Sequence, residues 1–148
     1  MEKLTKGLSG IAGEYFVAGE LSIRGFMASV TLRNNDSIDI HASKIGKKNI
    51  FAIQVKTCQN PKRAWPLGKK AEILEAENLF YIFVILKGLE ERPDYFIVPS
   101  RVIAKYTREG HSKWLMTPGK KGNMHNDTNL RMFFDKEGKY LEKWDLLN

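Results

Sequence analysis

Apolar positions along the chain follow two periods. Leu8, Ile11, Tyr15 and Ala18 recur at helical spacing, and Ala12, Phe16 and Ile23 widen the stripe. The pattern predicts a helix from about Ser9 to Arg24, with Ser9 as N-cap and Gly25 just past its end. The period then drops to two. Phe26 to Leu32 reads as a strand, Asn34-Asn35-Asp36 as a tight turn, and Ser37 to Ala42 as the returning strand. Lys44 to Asn49 is a polar turn around Gly46, and Ile50 to Lys56 is a third strand. Three strands joined by short turns predict an antiparallel meander.

Thr57 to Gly68, with Asn60-Pro61 and Trp65-Pro66, reads as a loop, and Ala71 to Asn78 as a short helix. Leu79 to Leu86 is an unbroken apolar run, the mark of a central strand buried on both faces. A helix before that strand implies a crossover, hence a mixed sheet. Tyr95 to Val98 is a fifth strand, followed by a helix from Pro99 or Ser100 through Tyr106, ended by Gly110. Ser112 to Met116 predicts a further helical turn, Leu130 to Phe134 a last strand, and Trp144, Leu146 and Leu147 a docked C-terminus. The expected fold class is α/β: one domain over residues 1–148, with a central mixed sheet flanked by helices. Its core covers about 9–98, with a C-terminal extension over about 99–148.

Composition adjusts this picture in a few places. At 148 residues and 43% hydrophobic, the chain can bury a core of its own. No apolar run approaches the roughly 20 residues of a membrane span, and no apolar signal core follows the first lysines. The single cysteine, Cys58, excludes a disulfide framework and a zinc cluster, and is expected to be a partly buried small residue. A soluble, reducing, cytoplasmic setting fits. The net charge is +7, and from Ile40 to Ala71 there is no acidic residue at all. Lys44, Lys47, Lys48, Lys56, Lys62, Arg63, Lys69 and Lys70 fall in that window. Charge alone is equally compatible with a polyanion-binding face and with a solvated lysine face.

Four polar residues rise from apolar elements. Glu14 has Ile11, Val17 and Ala18 as one-turn neighbours, where an acid is costly unless it is paired or bound to a metal. Asp39 stands between two isoleucines. Gln54 and Lys56 share one face at the end of a strand whose other face is Phe51, Ile53 and Val55. Phosphodiester cleavage needs an activated water, an in-line approach and cover for transition-state charge, most of which a divalent metal supplies. Asp39, the Gln54 carbonyl and the Val55 backbone carbonyl are oxygen ligands of the kind Mg²⁺ prefers. Lys56 can hold the attacking water or stabilise the transition state, and Glu14 would complete the metal shell.

The order of these residues resembles the PD-(D/E)xK nuclease superfamily, with its restriction-endonuclease-like fold. There a helical Glu precedes an Asp on the second strand and an (E/Q)-x-K on the third. The matches are Glu14 in Gly13-Glu14-Tyr15-Phe16-Val17, Asp39 in Ile38-Asp39-Ile40, and Gln54-Val55-Lys56, within a resemblance spanning about residues 9–86. Two departures stand out: Ile38 in place of proline, and Gln54 where Glu is more usual. The resemblance implies a Mg²⁺-dependent endonuclease on DNA, with Mn²⁺ as an alternative metal and no organic cofactor. Lys44, Lys47, Lys48, Lys62, Arg63, Lys69 and Lys70 would contact the DNA backbone. Many members cut as dimers, so a homodimer is one expectation. The alternatives are a non-catalytic nucleic-acid-binding module on the same fold, or a nuclease specific for junctions or RNA.

Other features offer no rival site. Trp65 is either a core anchor or a surface for a base or sugar. His41, His111 and His125 lack the close spacing of a zinc hydrolase. His125, Asn126 and Arg131, with Lys120 and Lys121, either touch phosphate or form a solvated polar loop.

Overall fold

The computed structural model describes residues 2–32 and 37–148, so the expected Asn34-Asn35-Asp36 turn lies outside the described residues. The first helix, α1, runs Lys6–Ile23, one turn earlier than the periodicity suggested. Thr5 is the N-cap: its hydroxyl accepts from the Leu8 N–H at 3.3 Å. Ser9 lies inside the helix, buried, its hydroxyl donating back to the Lys6 carbonyl. At the other end Gly25 takes φ +84, the left-handed value that ends helices.

Strands β1 (Met27–Val30), β2 (Ile40–Ser43) and β3 (Ile50–Cys58) form the expected meander. Both pairings are antiparallel, with Val30↔Ile40 and Ile40↔Ile53 in register. Strand β5 (Leu79–Ile85) lies parallel to β3, and β6 (Asp94–Pro99) antiparallel to β5. The sheet order is β1-β2-β3-β5-β6, a mixed sheet with β5 fully buried near its middle. That burial on both faces is what its continuous apolar run demands.

The β3-to-β5 crossover departs from expectation. The stretch read as a loop contains β4 (Ala64–Gly68), paired antiparallel to β7 (Leu130–Phe134) in a separate two-stranded sheet. Of the stretch read as a helix, Ala71 to Asn78, only Ala71 and Glu72 are helical, as the end of a 3₁₀ turn over Lys69–Glu72. Its later backbone is held by side chains instead: Ser100 Oγ bonds both the N–H and the carbonyl of Ala76, and Arg108 donates to the Glu72 carbonyl at 2.7 Å. Helix α2 (Ser100–Met116) runs straight through Gly110. A mid-helix glycine costs about 1 kcal/mol. The turn beyond it is secured by rings, with His111 stacked on Trp114 and Trp114 on His125.

Two hydrophobic cores cover the two faces of the sheet. Val17 and Leu21 of α1 pack on Ile40, Ile53, Val55, Ile82 and Ile97, closed by Trp144 and Leu147. On the opposite face Trp65, Phe83, Phe96, Ile103 and Phe133 cluster. Trp65 is thus a core anchor, fully buried, its ring tilted against Phe83 at 4.9 Å. No helix among the described residues is long and apolar enough to cross a membrane.

Candidate active site at the parting of β2 and β3

Strand β2 pairs with β3 no further than Ile40↔Ile53. One rung on, the Asp39 backbone is held from both sides. Its N–H donates to the Ile53 carbonyl at 2.9 Å, and its carbonyl accepts from the Thr31 N–H at 2.8 Å. The next β3 donor on that edge, the Val55 N–H, has no strand residue opposite, and Asp39 Oδ2 accepts it at 2.7 Å. The carboxylate therefore caps the ladder where the strands part.

The alternation of β3 distributes the remaining groups. Even-numbered residues bond toward β5, as Ala52 N–H to Asn78 O and Cys58 O from Leu86 N–H show. The Val55 carbonyl consequently turns to the edge that β2 has left. Gln54 and Lys56, half-buried, project from the face opposite α1, in register with Tyr81 and Phe83 of β5. Phe51, Ile53 and Val55 are buried on the other face, as their period predicts.

Lys56 sits in a mixed electrostatic environment. Burial pushes its pKa below the ordinary lysine value, the Asp39 carboxylate opposes that shift, and Lys6 adds to it. Lys6 is the first residue of α1, in a first turn that carries no acidic residue. The start of that helix is clamped to the end of β3. Gln59 accepts from the Leu4 N–H at 2.8 Å and donates to the Leu4 carbonyl at 3.0 Å. Sequence reading missed Lys6, because only this clamp brings the N-terminus to the end of β3.

Glu14, on α1, is half-buried. It follows Gly13, whose backbone presses on β3: a Cβ there would lie 1.8 Å from Thr57 Oγ1. That hydroxyl is buried without a hydrogen-bond partner among the described residues. Two carboxylates thus belong to the candidate set. No group of three or more His, Cys, Asp or Glu side chains able to hold a metal occurs among the described residues.

The basic residues divide between the two ends of β3. Lys44, Lys47 and Lys48 lie in the β2–β3 connection, and Lys69 and Lys70 in the 3₁₀ turn before β5. Lys62 and Arg63 follow the opposite end of β3. Lys44 lies over the Phe26 ring at 4.4 Å. Arg63 donates to the Lys136 carbonyl at 3.2 Å and lies over Phe96. Arg131 is committed to structure: it is buried and pairs with Glu72 at 2.7 Å. His41 is exposed on β2, His111 bonds Asp127 at 2.8 Å, and His125 stacks on Trp114. Cys58 is half-buried, and burial pushes its thiol pKa up. A surface cavity of about 1010 Å³ lies on the other flank of α1 among Phe16, Leu86 and Tyr95, and none of the candidate residues lines it.

No family model and no curated protein sequence matches the chain. Among solved structures it is similar to the bacterial homing endonuclease I-Ssp6803I, with a TM-score of 0.57 at 14% identity, over 98% of this chain and 92% of that one. It is also similar to Hjc, a Holliday junction resolvase from the archaeal hyperthermophile Archaeoglobus fulgidus, with a TM-score of 0.50 at 14% identity, over 85% of this chain and 84% of that one. A mixed sheet flanked by helices, matched to these two structures across most of its length, establishes that the chain has the restriction-endonuclease-like fold.

Proposed function

We propose that the chain hydrolyses DNA phosphodiester bonds with a divalent metal, Mg²⁺ or Mn²⁺, at a site formed by Glu14, Asp39, Gln54, Val55 and Lys56. The observation that carries the reading is the 2.7 Å bond from the Val55 N–H to Asp39, which fixes a carboxylate beside Gln54-Val55-Lys56 where β2 and β3 part. Asp39, the Gln54 amide oxygen and the Val55 carbonyl form an all-oxygen donor set, which suits a hard divalent cation. When bound, such an ion supplies charge cover for the phosphorane-like transition state and lowers the pKa of an attacking water. Asp39 stays oriented because one of its oxygens is held by backbone. Glu14 supplies the second carboxylate from α1. Lys56, its pKa lowered by burial, holds a water by hydrogen bond and gives up a proton more readily than a solvated lysine. Lys6 adds positive charge for a phosphate at the same place.

The basic groups at the two ends of β3 support a duplex as the partner. Phosphate contacts from these groups position the DNA without reading its sequence. A second reading rests on one observation: with Gln54 neutral, no three metal-binding acids or histidines gather among the described residues. In that reading the chain binds nucleic acid without cutting it.

The test is incubation of supercoiled plasmid and of branched DNA with Mg²⁺ or Mn²⁺, beside Asp39→Ala and Lys56→Ala. Metal-dependent nicking lost in both variants supports the nuclease, and the preferred substrate separates a junction enzyme from a duplex cutter. Salt-sensitive binding with no product in any metal would overturn it in favour of the binding module.

A further inference from the structure

Helix α1 has two apolar stripes. The inner one, Ser9, Gly13, Val17 and Leu21, is buried against the sheet. The outer one consists of Leu8, Ala12, Tyr15, Phe16, Gly19 and Ile23, and it contains no charged residue. At helical spacing these six fall within an arc of about 100°. They are wet: Leu8 is 56% exposed, Tyr15 66%, Phe16 47% and Ile23 81%. A continuous apolar face of this kind marks an interaction site.

Its pattern says what covers it. Read along the helix, the stripe runs large, small, aromatic pair, small, large. The positions are mirror-symmetric about the Tyr15–Phe16 peptide bond. A two-fold axis through that point sets Leu8 of one copy against Ile23 of the other, Ala12 against Gly19, and Tyr15 against Phe16. Isologous contacts require this kind of self-complementarity. The small residues admit close backbone approach, and a Cβ added at Gly19 would meet nothing within 4 Å. Five of the six stripe residues, with Glu20 and Tyr95 at the margin, line a groove of about 400 Å³ that can receive the partner's side chains. The four large residues expose on the order of 500 Å² per copy, taking about 200 Å² for each side chain. Two copies together reach roughly the 1,000 Å² of a specific interface before any flanking contact is counted.

We propose that the chain forms a two-fold homodimer by antiparallel packing of the outer faces of α1. Glu14 lies on the opposite flank of the helix, so this contact leaves the candidate site open.

The test is sedimentation equilibrium of the full chain together with disulfide trapping. In a Cys58→Ser background, Leu8→Cys and Ile23→Cys proteins are made separately. The expected results are a dimer with a dissociation constant below about 100 µM, a disulfide-linked product when the two cysteine variants are mixed, and none from either alone. Gly19→Arg should weaken the dimer about tenfold or more while its melting curve stays cooperative. A monomer throughout the concentration range, cross-linking of Leu8→Cys to itself, or an undisturbed dimer in Gly19→Arg would each overturn the proposal.

Discussion

Gly13 marks the closest approach between α1 and β3, and Gly13→Ala probes that approach directly. An added Cβ would lie 1.8 Å from Thr57 Oγ1, 2.9 Å from its Cβ and 3.1 Å from its Cγ2. Non-bonded carbon contacts settle near 3.5 Å or more, so helix and strand must part by about 1.5 Å. Two effects oppose each other. Alanine is the better helix former by about 1 kcal/mol. Overpacking of a fitted contact costs about 1–3 kcal/mol, and here the obstruction is a strand residue in mid-sheet rather than a flexible side-chain end. The net expectation is a loss of about 1–2 kcal/mol, or roughly 2–8 °C in Tm for a chain of this size. Gly10→Ala is the internal control, since a Cβ there meets nothing within 4 Å. It should gain about 0.5–1 kcal/mol. Urea melts with unchanged slope would give both values. Thr57→Ala in the Gly13→Ala background should recover most of the loss. Equal stabilisation by Gly13→Ala and Gly10→Ala would refute the close approach.

Three further predictions concern charge and titration. Lys56→Met removes a half-buried ammonium and should raise stability by about 0.5–2 kcal/mol while abolishing cleavage, a separation that melts and activity assays would show. Glu20 is held below the ordinary carboxylate pKa, chiefly by its hydrogen bond from Arg92 at 2.9 Å, with Arg24 adding to the shift. Its stabilising contribution is therefore present above pH 4.5 and fades as pH falls through the lowered value. Glu20→Gln should cost about 1 kcal/mol at pH 7 and progressively less below pH 4.5, as thermal melts across pH would reveal. Burial pushes Tyr81 and Tyr95 up to about 12, so stability should fall as pH rises from 10 toward 12, and an ultraviolet titration of the folded protein should resolve two late tyrosines.

Local pattern carried much of the architecture. The unbroken run at Leu79–Leu86 could only be a strand covered on both faces, and the period of two at Phe51, Ile53 and Val55 placed Gln54 and Lys56 on the other face. Elements that depend on distant partners were harder to read. Strand β4 does alternate, with Trp65 and Leu67 buried and Pro66 and Gly68 exposed, yet Pro66 reads as a loop residue. It is tolerated because β4 is an edge strand, paired with β7 in a two-stranded sheet among the described residues. Gly110 looked like a helix stop, but stacking of His111, Trp114 and His125 outweighs its propensity. The start of α1 was obscured by Gly7 and Gly10 and is set by Thr5 and the Gln59 clamp. The site residues could be named from their types and order. That Asp39 would cap the β3 ladder through Val55, and that Lys6 would stand beside Lys56, depends on long-range backbone placement that no local pattern encodes.

Asp39→Asn gives the most direct test of the site. The amide keeps an oxygen to accept the Val55 N–H, so the strand edge should survive, while the negative charge needed to hold a divalent cation is gone. Single-turnover cleavage of end-labelled DNA in Mg²⁺ would be measured beside DNA affinity and melting temperature. A metal-holding role for Asp39 predicts unchanged folding and near-unchanged affinity in metal-free buffer, with cleavage reduced by about a thousandfold or more. Cleavage by Asp39→Asn at the rate of the unmodified chain would contradict it.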